Sequence, residues 1–177
     1  LVIHAVLPNG MRFQVSETYK SGLTLPEIAE ICTQKVRIWG VSRFYADPSQ
    51  PGSIEYLNRQ GCTCVAANND IRTGIDTVYE LIKSRQFRLF KGTSAYFLDE
   101  IDTYHYPDPK DLRPDQDSRE SKPVGQNDHV LDSVRYCCIM THRANIKHTP
   151  TAPSLVGKAL TEEQKIQQLL KAKRNVA

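Results

Sequence analysis

No stretch of the 177 residues reaches eighteen consecutive apolar positions, so the sequence carries no signal for a transmembrane helix. The apolar opening, Leu1 to Val6, is short. It has neither a basic leader nor a small-residue cleavage site, and it reads as a strand rather than a signal peptide. No Cys-x-x-Cys pair occurs. The five cysteines (Cys32, Cys62, Cys64, Cys137 and Cys138) are odd in number, which leaves neither zinc spacing nor a disulfide framework. They are expected to be reduced core residues of a cytosolic protein. A phosphate loop, a G-x-S-x-G elbow and an HExxH helix are all missing, so nothing here binds ATP by motif. No internal repeat is visible.

What is present fits one domain with a short appendage. Apolar residues make up 40% of the chain, enough for one sizeable core. Net charge is +3, which by itself says little about nucleic acid. Its distribution says more. Between Asp99 and Glu120 stand eight acids and three bases, a net of −5, so the remainder carries +8. That remainder can form a phosphate-facing surface or an ordinary solvated mixed-charge surface.

Leu1 to Leu7 and Met11 to Tyr19, joined by Pro8-Asn9-Gly10, predict a β-hairpin, because Asn-Gly between β-rich runs favours a tight turn. Thr24 with Glu27 three residues on, and Pro26 between them, marks a capped helix start. Val41 to Ala46 is a short strand ending at Asp47-Pro48. A helix starts near Ser53 and stops at Gly61, and Cys62 to Ala66 is the next strand. Ile71, Ile75, Val78 and Ile82 recur at helical spacing through to Arg85, and Phe87 to Phe90 is a strand. Ser94 to Tyr106 reads as helix turning into strand, with Asp99-Glu100 either ending that strand or contributing a carboxylate to a site. Tyr106 to Gln126 holds four of the ten prolines and reads as a long loop or exposed hairpin. Asn127 and Asp128 cap a helix to about Thr141. Residues 1–148 form the domain, and 149–177 are a linker and a basic C-terminal helix. The alternation predicts an α/β fold, a mixed sheet with helices on both faces.

Four residues stand out chemically. Asp47 follows a strand expected to be central, and open α/β sheets place ligands at such strand ends. An Asp before Pro also starts turns. Asp128, His129 and Asp132 open a late helix. His129 and Asp132, three apart, share a face and can hold a hard cation or polarise a water. Equally, Asp128 can be a cap, Asp132 a first-turn acid favouring the helix dipole, and His129 a surface residue. Magnesium takes carboxylates from separate elements, so a strand-end Asp47 and a helical Asp132 could meet at one ion. Arg135 and Tyr136 are expected to tie the late helix to the core. Tyr104, His105 and Tyr106 are either DNA contacts or an aromatic loop base.

Two stretches resemble a known family. Phe44-Tyr45-Ala46-Asp47-Pro48-Ser49-Gln50-Pro51-Gly52-Ser53-Ile54-Glu55-Tyr56-Leu57 is similar to the terminase nuclease motif, in which a strand-end Asp precedes a short turn and "SI-E-L". Asn127-Asp128-His129-Val130-Leu131-Asp132-Ser133-Val134-Arg135-Tyr136 resembles its "NDHxxDxxRY" helix. Gly74-Ile75-Asp76-Thr77-Val78 lies between them and looks like the family's "I–GI–V" helix, and Gly22-Leu23-Thr24-Leu25 also fits. The likeness covers roughly residues 1–142.

It implies the nuclease domain of a tailed-phage or prophage terminase large subunit, with a ribonuclease H-like fold. It further implies two-metal cleavage of concatemeric double-stranded DNA with Mg2+ or Mn2+. Asp47 and Asp132 would be metal carboxylates, Asp128 an extra ligand, and His129 would lie beside the site. Portal and small terminase subunit would be partners, and the bacterial host cytoplasm the location, with no membrane. The family's first catalytic Asp, in a segment like D-x-G-x-x-x-P, is expected ahead of Leu1. Two other readings remain: a non-catalytic DNA-binding or docking module of the packaging motor, and another ribonuclease H-like nuclease such as a junction resolvase.

Overall fold

The structure, a computed structural model, describes residues 1–108, 110, 123 and 128–147, with side chains of the last helix as far as His142. Asn127, most of the expected loop up to Gln126, and the expected linker and basic helix of 149–177 lie outside the described residues.

The chain opens with the hairpin expected from Asn9-Gly10. Strands β1 (Val2–Val6) and β2 (Arg12–Glu17) pair antiparallel, and Gly10 supplies the left-handed φ of 86° that the turn needs. Helix α1 (Leu25–Trp39) starts where Thr24 and Glu27 predict. The Thr24 backbone N–H and hydroxyl both donate to Glu27 Oε2 at 2.7 Å. Strand β3 (Phe44–Ala46), helix α2 (Pro51–Arg59), strand β4 (Cys64–Ala66), helix α3 (Ile71–Lys83) and strand β5 (Phe87–Leu89) follow in the expected order. Helices α4 (Ala95–Thr103) and α5 (His129–Lys147) complete the described elements.

Several boundaries differ from expectation, three of them by more than two residues or in element type. α5 runs beyond Thr141, and β3 keeps only the last three of its six expected residues. Asp99-Glu100, expected to end a strand, lies inside α4. The reason is tertiary. Glu17, at the end of β2, accepts the Tyr96 N–H at 2.9 Å through one carboxylate oxygen and the Phe97 N–H at 3.1 Å through the other. A carboxylate from elsewhere thus satisfies the open donors of the first turn, where local propensity is ambiguous.

The mixed sheet is in two pieces. β2 pairs with β1 antiparallel and with β5 parallel, while β3 and β4 form a parallel pair of their own. Asp47's strand, expected to be central, therefore has a partner on one side only among the described strands. A cavity of about 340 Å3 lies between the pieces, touched by every residue of β1 and by residues 39–45. Successive strand residues point to opposite faces, so a cavity that meets all of them runs along the strand's edge. Ser133, Cys137 and Thr141, one stripe of α5, also line it.

Two apolar clusters hold these parts together. One gathers Ile3, Val15, Ala29, Cys32, Trp39, Phe44, Leu57, Cys62 and Cys64. The other packs Leu81, Phe87, Phe97, Val130, Val134 and Cys138 between α3, β5, α4 and α5. All five cysteines are free thiols, as expected. Burial pushes Cys32 and Cys138 up to about 11 and Cys137 up to about 12, which leaves them protonated and unreactive. Among the described residues no helix is long and apolar enough to cross a membrane.

Candidate functional site

Asp47 is exposed at the C-terminal end of β3, in the turn that leads to α2. Its Oδ1 accepts the Ser49 backbone N–H at 2.8 Å, and its main-chain oxygen accepts from Gln50 N at 3.2 Å. This is the Asx turn that Asp-Pro favours. Ser49, through its backbone N–H first and then its hydroxyl, holds the carboxyl below its ordinary value. The Tyr136 hydroxyl and the charge of Arg135 add smaller pulls in the same direction. Turn residue and ligand are therefore compatible roles: the turn uses one face of the carboxylate and keeps it ionised.

Asp132 sits in the first turn of α5, partly exposed. Its Oδ1 accepts from Arg135 Nη2 at 2.8 Å. Arg135 is itself buried, and its Nη1 donates to the carbonyls of Asn69 at 3.0 Å and Asp70 at 3.1 Å. Those carbonyls lie between β4 and α3, where Asp70 caps α3 through the Thr73 N–H at 2.7 Å. The guanidinium also lies 5.0 Å from the Tyr136 ring centroid. Arg135 thus joins α5 to the start of α3, as its sequence position suggests. Gly74 makes room for it, because a Cβ at that position would overlap Arg135 Cγ and Cδ.

Asp128 immediately precedes α5, and its carbonyl accepts the Asp132 N–H at 2.9 Å. His129 is exposed, with its ring 6.3 Å from that of Tyr19, which stacks on Tyr96 at 4.4 Å. Although His129 and Asp132 are three apart, their ring and ion-pair contacts run to different neighbours. Glu100 is a residue the sequence pointed to only weakly. It is 7% exposed, and its Oε2 accepts the N–H groups of Val130 at 2.8 Å and Leu131 at 2.9 Å. From α4 it therefore pins the start of the helix that carries Asp128, His129 and Asp132. No local pattern reveals this, because the bonds span about thirty residues.

Tyr136 links the two candidate carboxylates. Burial raises its hydroxyl above the ordinary value, and the charges of Asp132 and Asp47 push it the same way. The charges of both acids thus reach this hydroxyl, and β3 and α5, which carry them, pack against each other. Carboxylate oxygens are the donor type a hard divalent cation takes, so both residues fit a share of a magnesium or manganese shell. Among the described residues no group of three or more His, Cys, Asp or Glu stands close enough to hold a metal ion.

A mixed α/β fold with one Asp at a strand end and another at the start of a late helix suggests a class, and comparison with known proteins gives a family. A family model described as the terminase RNaseH-like domain matches residues 2–141, and the chain belongs to that family. Its mixed α/β fold is ribonuclease H-like. The chain is similar to the large terminase of a thermophilic bacteriophage, known in several crystal structures. In one crystal form the two share 25% identity with a TM-score of 0.67, over 78% of this chain and 35% of that one. In the complex with ADP they share 26% identity with a TM-score of 0.61, over 73% and 33%. The chain spans about a third of the length of these terminase chains. No curated protein matches it.

Proposed function

We propose that the chain is the endonuclease domain of a viral genome-packaging terminase, cutting concatemeric double-stranded DNA by metal-dependent hydrolysis of phosphodiester bonds. The observation that carries this reading is an Asp at the end of β3 and an Asp in the first turn of α5, on two elements that pack against each other in a chain of the terminase RNaseH-like family. On this reading Asp47 and Asp132 hold the metal, with Asp128 as a further ligand and His129 beside the site. Mg2+ or Mn2+, two ions in the full site, would offset charge on the scissile phosphate and provide hydroxide. The chain's own residues do the rest. The Ser49 turn keeps Asp47 ionised, and Glu100 fixes the helix end from which Asp132 projects. DNA, the portal and the small terminase subunit are the proposed partners, in the cytoplasm of an infected or lysogenic bacterial host.

The ion pair that already engages Asp132 Oδ1 with the buried Arg135 at 2.8 Å favours a second reading: a DNA-binding or docking module of the packaging motor. Plasmid nicking in Mn2+ separates the two. The nuclease reading expects nicking, by this chain or by one carrying the additional Asp-bearing strand, that Asp47→Ala abolishes. Silence from both chains supports the docking module.

A further inference from the structure

Tyr96 stands in the first turn of α4 and is 47% exposed, although its neighbour Phe97 is buried in the second apolar cluster. Its ring is nonetheless held. It stacks on Tyr19 with the centroids 4.4 Å apart and the planes 13° from parallel, and its backbone N–H donates to Glu17 at 2.9 Å. Among the described residues Tyr19 is the one ring that Tyr96 meets, so the rest of the Tyr96 ring carries the exposure. The stack is not needed to hold α4 on the sheet. Glu17 does that through two N–H groups, and Phe97 does it through the core. The rings also lie where the candidate acids begin. His129, three residues before Asp132, has its ring 6.3 Å from that of Tyr19, and Glu100 of α4 pins the start of α5.

We propose that Tyr96, backed by Tyr19, is a stacking platform for an unpaired base of DNA beside the start of α5. This rests on the DNA-acting reading above and adds the form of DNA that the surface takes. The complement of a fixed, flat aromatic face is another flat π system, and aromatic side chains hold the bases of single strands in this way. Inside a duplex both faces of a base are covered by its neighbours. The platform therefore selects bases released from the stack, in a single-stranded tract, over continuous duplex. A ring already held by Tyr19 and Glu17 loses little freedom when a base lands on it, which removes one cost of binding. Lys20, exposed and next to Tyr19 in the chain, offers a cation to the phosphate beside such a base.

The test compares two forms of DNA. Fluorescence anisotropy follows binding of the 177-residue chain, in EDTA, to a labelled oligodeoxythymidine of about 12 nucleotides and to a duplex of the same length. Wild type is expected to bind both. Tyr96→Leu, which keeps apolar bulk and removes the ring, is expected to weaken single-strand binding about tenfold and leave duplex binding unchanged, within the range for losing one base–aromatic stack. Tyr96→Phe is expected to match wild type, because the ring face stacks and the hydroxyl does not. Where Tyr96→Leu does not fold, ultraviolet crosslinking of an oligonucleotide carrying 5-iodouracil to wild type carries the test. The crosslink is expected at Tyr96, and crosslinks confined to other residues overturn the inference. A folded Tyr96→Leu protein that binds the single strand like wild type also overturns it. So does one that loses both forms of DNA alike, which is what a purely structural role gives. A wild-type chain that binds only the duplex overturns this inference and leaves the DNA reading standing, whereas one that binds neither form overturns both.

Discussion

Gly74 shows how a missing side chain can serve a distant one. Arg135 reaches the Asn69 and Asp70 carbonyls only because α3 presents no Cβ there, and Ile139 Cδ1 closes the same space at 3.1 Å. Gly74→Ala, which favours a helix locally, should therefore destabilise the protein by about 1–3 kcal/mol through overpacking. Urea unfolding measures it, and the loss should shrink in an Arg135→Ala background, where the clash is gone. A Gly74→Ala protein as stable as wild type would refute this packing account. Glu100 gives a second residue-scale prediction. Burial raises its carboxyl above the ordinary 4.5, against the opposing pull of the Leu131 and Val130 N–H groups. A carboxyl raised in the folded state binds its proton more tightly there than in the unfolded chain. Wild type should thus gain stability relative to Glu100→Gln as pH falls from above the raised value, with the gain complete below 4.5. Urea midpoints across that range check the sign, and a relative loss on acidification contradicts it.

Two helices here begin on a carboxylate that comes from another element. Glu17 of β2 serves α4 and Glu100 of α4 serves α5, so sheet and helices form a relay ending at the candidate site. Glu17→Ala should cost about 1.5–3 kcal/mol, the range for hydrogen bonds to a charged group. Amide exchange at Tyr96 and Phe97 should accelerate at the same time, and unaltered exchange there would count against the relay. The relay also explains what was legible. The β1–β2 turn, the Thr24–Glu27 start of α1 and the spacing in α3 depend on neighbours within a few residues, and the sequence exposes each of them. The ambiguity over Ser94 to Tyr106 has a different source. The partner that fixes α4 lies 79 and 80 residues away, and no local window contains it. Asp47 and Asp132 could be picked out as acids at a strand end and a helix start. The packing of β3 against α5 and the hold of Arg135 on Asp132 depend on contacts between elements.

At the scale of the whole molecule, two sheet pieces and two apolar clusters are bridged by α5. Val130, Val134 and Cys138 bury one side of this helix in the second cluster, while Ser133, Cys137 and Thr141 line the cavity between the sheet pieces. The helix that builds the core therefore also presents Asp132, and the fold and the candidate site stand or fall together. If the site holds a metal, ligand linkage requires that Mn2+ stabilise the chain, by about 2.7 kcal/mol at a hundred times the dissociation constant. Thermal unfolding with and without Mn2+ should show a rise in Tm that a chelator reverses. The most direct test of the central claim is calorimetric titration of Mn2+ into wild type, Asp47→Ala and Asp132→Ala, each first shown to be folded. The account predicts saturable binding to wild type and its loss in both variants. Binding that survives both substitutions would contradict it, because the ion would then lie elsewhere on the molecule.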